Sequence, residues 1–173
     1  MKPTTNITFP STHSEVVTLL EQYNITNYKI NSDLSVDVDS DVDLSDLEIE
    51  QLLVQFRNIS GNFYCSDNQL TSLEGSPKEV GGDFDCDNNK LTSLKGSPQS
   101  VGGTVYCRWN QLTTLEGSPK NVGGDFDCEY NQLTTLEGSP QTVGGIFDCS
   151  WNKMQFTTDD VKSVCEVEGE IFV

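Results

Sequence analysis

A 21-residue segment recurs along this chain, and the repeat constrains its fold more than any other feature. The first four clear units are GNFYCSDNQLTSLEGSPKEVG, GDFDCDNNKLTSLKGSPQSVG, GTVYCRWNQLTTLEGSPKNVG and GDFDCEYNQLTTLEGSPQTVG, and a fifth matches in its first half. A degenerate unit that keeps the apolar positions begins at Ser40. Because one unit is too small to bury its own apolar side chains, the repeat predicts a solenoid of stacked coils. The clear units begin at Gly61, Gly82, Gly103, Gly124 and Gly145.

Within a unit, the apolar positions predict a short strand followed by a turn that returns to the core. Positions are numbered from the first glycine of each unit. Positions 3 and 5, for example Phe84 and Cys86, are apolar and alternate with variable residues, which is typical of a strand with one buried face. Leucines at positions 10 and 13 and a valine at position 20 are expected to point inward. The Gly-Gly pair before each strand allows successive coils to approach closely.

Position 8 is asparagine in all five clear units. The chain is expected to turn there, and a buried turn leaves backbone N–H and C=O groups without partners. A carboxamide both donates and accepts, so it can satisfy backbone groups above and below it. The sequence therefore predicts an inward asparagine ladder formed by Asn68, Asn89, Asn110, Asn131 and Asn152.

The repeats resemble the leucine-rich repeat consensus LxxLxLxxNxL, with Phe and Cys in two of the Leu positions. The half-unit NQLTSLEGSPKEV resembles the short bacterial class NxLxxLPxLPxxL, and the whole repeats are similar to those of small proteins encoded by tailed bacteriophages. This resemblance covers about residues 40–157. It implies a short right-handed β-coil horseshoe with a parallel sheet on its concave face. It implies no activity, because the scaffold serves many partners.

The segments on either side of the repeats are expected to cover the ends of one continuous domain. Residues 1–39 are predicted to form an amphipathic helix, capped by Thr12 or Ser14, and then a β-hairpin. Residues 40–157 hold one degenerate and five clear repeats. Residues 158–173 are predicted to form a second cap, with a helix through about Cys165 and EGEIFV as a final strand or extended cover.

The charge balance restricts the partners. The chain has 10 basic and 27 acidic residues and a net charge of −17. Such a surface repels phosphate backbones and anionic membranes, so direct nucleic-acid or membrane binding is not expected. It favours a basic protein surface as the partner.

No apolar run is long enough to span a bilayer, and the N-terminus lacks the apolar core of a secretion signal. The expected location is cytoplasmic, in the bacterial host if the chain is phage-encoded.

No cofactor, metal site or enzymatic activity is predicted. The cysteines at position 5 are expected to form a buried, reduced column, and no CxxC knuckle accompanies them. His13 has no catalytic group near it in sequence, and neither a phosphate loop nor a nucleophile elbow is present. Carboxylates in residues 37–48 fall near the spacing of a calcium loop, although Val42 stands where that loop needs glycine. The sequence leaves calcium binding there open.

The variable outward positions 2, 4, 6 and 7 define the candidate site, an acidic and aromatic face. We expect it to bind a partner, since aromatic side chains and arginine dominate binding hot spots, although a merely solvated face is the alternative. The leading hypothesis is a non-enzymatic protein-binding module whose acidic, aromatic concave face binds a basic protein. The resemblance to phage proteins suggests that it inhibits a host defence or nucleic-acid-handling protein. The alternatives are a DNA mimic that occupies a basic cleft and a structural or adhesive virion component. The predicted binding residues are Tyr64, Asp83, Asp85, Asp87, Tyr106, Arg108, Trp109, Asp125, Asp127, Glu129, Tyr130, Asp148 and Trp151.

Overall fold

The chain forms a parallel β-solenoid, which a computed structural model describes for residues 8–173. Two sheets run along the stack. Sheet A has eight strands, in the order β1 (Tyr28–Ile30), β2 (Val36–Val38), β4 (Phe56–Ile59), β6 (Glu79–Val80), β8 (Ser100–Val101), β10 (Asn121–Val122), β12 (Thr142–Val143) and β14 (Glu166–Val167). Sheet B has seven strands, in the order β3 (Val42–Asp43), β5 (Phe63–Tyr64), β7 (Phe84–Asp85), β9 (Val105–Tyr106), β11 (Phe126–Asp127), β13 (Phe147–Asp148) and β15 (Ile171–Phe172).

The register of both sheets follows the sequence repeat. Phe63 lies opposite Phe84 in sheet B, and Val80 lies opposite Val101 in sheet A, so equivalent residues stack in columns. All strand pairs are parallel except β1 and β2, which form an antiparallel hairpin. The predicted solenoid is therefore confirmed. Its core consists of the columns at positions 3, 5, 10, 13 and 20, in which each fully buried leucine or phenylalanine contributes on the order of 1.5–3 kcal/mol.

Sheet A differs from the sequence-based prediction of one strand per unit. Each of the first four clear units has a second strand at positions 19 and 20, and the glycine pair after it forms the corner to the strand of sheet B. The valine that was expected only to close the coil, for example Val101 or Val122, is the buried residue of this second strand. A two-residue strand with one buried valine is too short to show an alternating pattern, which is why the sequence did not indicate it.

The asparagine side chains lie inside the coil and bond to backbone on two successive coils. In Asn110, the side-chain amide donates to the carbonyl oxygens of Cys86 (3.0 Å), Cys107 (3.4 Å) and Arg108 (3.1 Å). Its carbonyl oxygen accepts the N–H of Leu91 at 3.0 Å. The other ladder asparagines repeat these contacts, so each one joins its own turn to the coil before it.

Helix α1 (His13–Gln22) precedes the first coil. Thr12 is its N-cap, and the Glu15 side chain completes a capping box. Val16 and Leu20 on α1 are buried in the core. The β1–β2 hairpin follows, where Asp37 accepts two hydrogen bonds from the Arg57 guanidinium. Residues 1–7 of the predicted N-terminal cap lie outside the described residues.

At the C-terminal end, helix α2 (Thr158–Lys162) is capped by Thr157 and is shorter than the predicted helix. The chain turns after Lys162, and Cys165 is buried at the start of the segment that leads into β14. EGEIFV (residues 168–173) follows β14 and contains β15, so the predicted final strand is present. Together β14 and β15 add one strand to each sheet. No helix in residues 8–173 has the length and apolar character needed to cross a membrane.

Candidate functional site

The predicted binding residues all lie on the strands of sheet B or in the short segments beside them, but they have different roles. Asp83 and Asp125, at position 2, link neighbouring coils. Asp83 accepts the backbone N–H of Thr104 at 2.8 Å, and Asp125 accepts that of Ile146 at 2.7 Å. Asp41, Asn62 and Thr104 make the same contact in other coils. This column therefore joins coils to one another, a role that the sequence analysis did not assign to it.

The aspartates at position 4 end the strands of sheet B. Asp85, Asp127 and Asp148 each accept the backbone N–H two residues further along the chain, at 2.9, 3.2 and 2.9 Å. An aspartate in such a turn replaces the ladder partner that the backbone loses as it leaves the strand. One carboxylate oxygen of each residue is used in this way.

Arg108 lies among carboxylates, and we call Arg108, Asp87, Asp127 and Glu129 the Arg108 cluster. Its guanidinium donates to Asp87 at 2.6 and 2.7 Å, and lies 3.6 Å from Asp127 and 3.9 Å from Glu129. The guanidinium carbon is also 5.2 Å from the centre of the Tyr106 ring, within the range of a cation–π contact. This face of sheet B therefore holds a guanidinium group between acidic and aromatic side chains.

Burial alters the protonation of the Arg108 cluster. Desolvation raises the pKa of Asp127 to about 7 and that of Asp87 to about 6, although Arg108 opposes both shifts. Desolvation also raises the pKa of Asp85. The carboxylates nearest Arg108 are therefore partly protonated near neutral pH, so the face is less negative than its composition indicates.

These pKa shifts predict that the protein loses stability as the pH rises. Between the ordinary pKa of 3.8 and the raised values, the folded chain binds more protons than the unfolded chain, so the free energy of unfolding falls with pH. After allowing for solvent screening, we expect a loss of about 1–2 kcal/mol per carboxylate between about pH 5 and about pH 8. Urea unfolding at the two pH values measures it. Asp127→Asn should flatten the dependence of stability on pH. Glu79→Gln, which removes an exposed carboxylate on β6 of sheet A, should not. A stability that increases over this interval would contradict the prediction.

Three aromatic rings at position 7 form a parallel stack, which we call the aromatic stack: Trp109, Tyr130 and Trp151. The ring centres of Trp109 and Tyr130 are 3.9 Å apart, and those of Tyr130 and Trp151 are 5.6 Å apart. The ring planes deviate by only 9° and 8°. Trp109 is 54% exposed and Trp151 is 71% exposed. The stack is thus an exposed, ordered apolar surface beside the Arg108 cluster.

The backbone at position 7 does not favour aromatic residues. Trp109, Tyr130 and Trp151 have φ angles of 54°, 51° and 53°, in the left-handed region, where asparagine and aspartate are much better tolerated. In two earlier coils the same position holds Asp67 and Asn88, whose side chains bond to each other at 2.6 Å. Each aromatic residue costs on the order of 1 kcal/mol there. The stack therefore exists in spite of the local backbone preference.

The other candidate chemistry has structural explanations. The position 5 cysteines are buried and free, and burial raises the pKa of Cys149 to about 12. Asp37 bonds to Arg57, and Asp39 accepts the hydroxyl of Ser60 at 2.8 Å. Within residues 8–173, no group of three His, Cys, Asp or Glu side chains is arranged to hold a metal ion.

No family model matches the chain, and no curated protein or solved structure is significantly similar to it.

Proposed function

We propose that this solenoid is a short leucine-rich repeat module that binds a basic protein through sheet B and catalyses no reaction. The 21-residue period, the inward leucines and the asparagine side chains that bond across coils support the assignment to this repeat class. In this proposal sheet B lines the concave side of a horseshoe.

The aromatic stack is the observation that carries the binding proposal. Folding alone explains the buried columns, the coil-linking carboxylates and the aspartate turns. It does not explain three stacked rings, two of them exposed, on a backbone that favours asparagine or aspartate. Exposed tryptophan and tyrosine in one ordered patch are typical of binding hot spots. The net charge of −17 favours a basic partner, because complementary charges attract across an interface.

The proposal extends to a biological setting. The resemblance of the repeat motif to those of small phage-encoded proteins is the basis for this setting. In the proposal, the module acts in the cytoplasm of an infected bacterium, where it blocks a host defence or nucleic-acid-handling protein. DNA mimicry has less support, because Arg108 and the partly protonated carboxylates reduce the charge of the face. A mimic would need that charge along its whole length.

The test is capture of bacterial proteins by the wild-type chain and by Trp109→Asn/Trp151→Asn. Asparagine suits the left-handed backbone, so this variant should fold at least as well as the wild type while it removes the two exposed rings. We expect a basic protein that the wild type retains and the variant loses. Tyr28→Asn is the matched control, since it removes an exposed aromatic ring from β1 of sheet A.

A protein retained equally by all three chains would overturn the assignment of the aromatic stack. Duplex DNA added to the captured complex separates the alternatives. A DNA mimic should be displaced by DNA and should keep its partner in the tryptophan variant, whereas a partner bound through the aromatic stack should depend on the two tryptophans.

A further inference from the structure

We propose that the aromatic stack receives an aromatic side chain of the basic partner, whose ring face packs against the outward edges of Trp109 and Tyr130. This inference rests on the proposed function and names the chemical group that the partner presents at the stack. The partner's cationic groups then lie against the carboxylates of the preceding coils.

The stack turns ring edges, not ring faces, toward solvent. The centre distances of 3.9 and 5.6 Å and the nearly parallel planes show that neighbouring rings meet through their faces, one coil after another. Tyr130 therefore has a ring against each face, and Trp109 has one face against Tyr130. On the other side of Trp109, position 7 is Asn88, whose backbone N–H donates to the Arg108 carbonyl oxygen at 3.0 Å. The parts of Trp109 and Tyr130 that point away from the coils are accordingly their edges.

The edge of an aromatic ring attracts different groups from its face. The face carries partial negative charge and attracts cations, whereas the edge carries partial positive charge and attracts the face of another ring. Both faces of Tyr130 are covered, so a guanidinium or an ammonium group of the partner cannot stack on it. A ring that arrives face-on to these edges forms a T-shaped pair, as Phe56 and Phe63 do in the core at 5.3 Å and 70°. No fourth ring of residues 8–173 contacts the stack.

The charges of the face place the partner's cations beside the stack. Arg108 is the only basic residue at positions 2, 4, 6 and 7 of the six units, and it already pairs with Asp87. On the N-terminal side of the stack, position 7 holds Asp46 and Asp67, which share the left-handed backbone of the rings. Asp67 lies two coils from Trp109, which is about 10 Å at the spacing of parallel strands. The face therefore fits a basic segment whose cations lie about 10 Å to one side of its aromatic residue.

Two basic peptides of equal length and charge test this contact in NMR titrations of the full chain at physiological ionic strength. One contains a single phenylalanine, and the other contains cyclohexylalanine, which is nearly as large and as apolar but has no π-system. We expect the phenylalanine peptide to bind roughly twofold to tenfold more tightly. It should also move the signals of the outward indole protons of Trp109 to lower chemical shift, because a ring face shields the protons that lie over it. These signals are assigned by comparison with Trp109→Asn.

Two variants separate the aromatic contact from the charge. Trp109→Asn/Tyr130→Asn/Trp151→Asn removes the stack while each asparagine suits the left-handed backbone, so it should abolish the preference for phenylalanine. Asp46→Asn is the matched control, since it removes one exposed charge from the same column and keeps a residue that tolerates this backbone. It should weaken the binding of both peptides by the same factor and leave the preference unchanged.

Equal binding of the two peptides, or a shift confined to the Trp151 signals, would overturn the inference. A basic protein captured through the two tryptophans, together with no preference for the phenylalanine peptide, would leave the proposed function standing without the aromatic contact. The reverse result, a preference for phenylalanine with no captured protein, would support the edge contact and contradict the proposed function.

Discussion

Gly123→Ala is expected to destabilise the protein by about 3 kcal/mol, at the upper end of the usual cost of forcing a methyl group into a packed position. A Cβ atom at residue 123 would collide with the backbone carbonyl oxygen of Gly102 in the preceding coil. That contact is with backbone, so no side chain can rotate away from it. The same close approach recurs along the column, in which Gly102 faces Gly81 and Gly144 faces Gly123.

The direction of this effect separates two explanations of the glycine pairs. Gly123 does not have a positive φ, so its backbone conformation is open to alanine. Without the collision, alanine would stabilise the protein by about 0.4–1 kcal/mol, because it restricts the unfolded chain. Urea unfolding, monitored by circular dichroism, gives the sign of the change in the free energy of unfolding. Ser100→Ala, at an exposed position of β8, is the control and should stay within about 0.5 kcal/mol of the wild type. A Gly123→Ala variant at least as stable as the wild type would mean that the coils are not in backbone contact at the corner.

The repeat made the solenoid predictable, because apolar residues that recur every 21 positions can all be buried when successive coils stack in register. What the sequence did not indicate depends on atoms of the neighbouring coil. Asp83 and Asp125 vary with the outward residues, so they were assigned to a binding face, yet they accept N–H groups of the next coil. A signal was present, since position 2 holds only short acceptors in the first four clear units and changes to Ile146 in the last.

The aromatic stack was only partly predictable. The sequence predicts that Trp109, Tyr130 and Trp151 belong to one face, and the structure places their rings in one stack. It did not indicate the left-handed backbone on which they stand. Asp67 and Asn88 at the same position are residues that tolerate this conformation, and they were the available clue. Because asparagine tolerates the left-handed backbone, it can replace these tryptophans without backbone strain.

Asn110→Ala is expected to cost about 2–4 kcal/mol, because it leaves several buried backbone groups without partners at once. The substitution deprives the Leu91 N–H of its acceptor and removes the donor to the carbonyl oxygens of Cys86 and Arg108. Water cannot replace these contacts easily, since Asn110 is only 7% exposed. Urea unfolding measures the loss. Asn121→Ala is the matched control, since that asparagine is exposed on β10 and contacts only the Thr142 hydroxyl through its side chain.

The loss of folding stability should depend on where along the stack the substituted asparagine lies. Asn152 makes the same kind of contacts as Asn110, to Cys128, Cys149, Ser150 and Leu133, but it is only half-buried at the end of the column. Water can reach these groups after Asn152→Ala, so its cost should fall between those of Asn110→Ala and Asn121→Ala.

Asn110→Asp tests the donor directly, because the carboxylate keeps an acceptor for Leu91 but faces carbonyl oxygens with a second negative atom. Its destabilisation at neutral pH should at least equal that of alanine and should decrease as the pH falls and the new carboxyl is protonated. Equal costs for all three alanine variants, or an aspartate as stable as the asparagine, would show that the ladder does not hold the coils through buried hydrogen bonds.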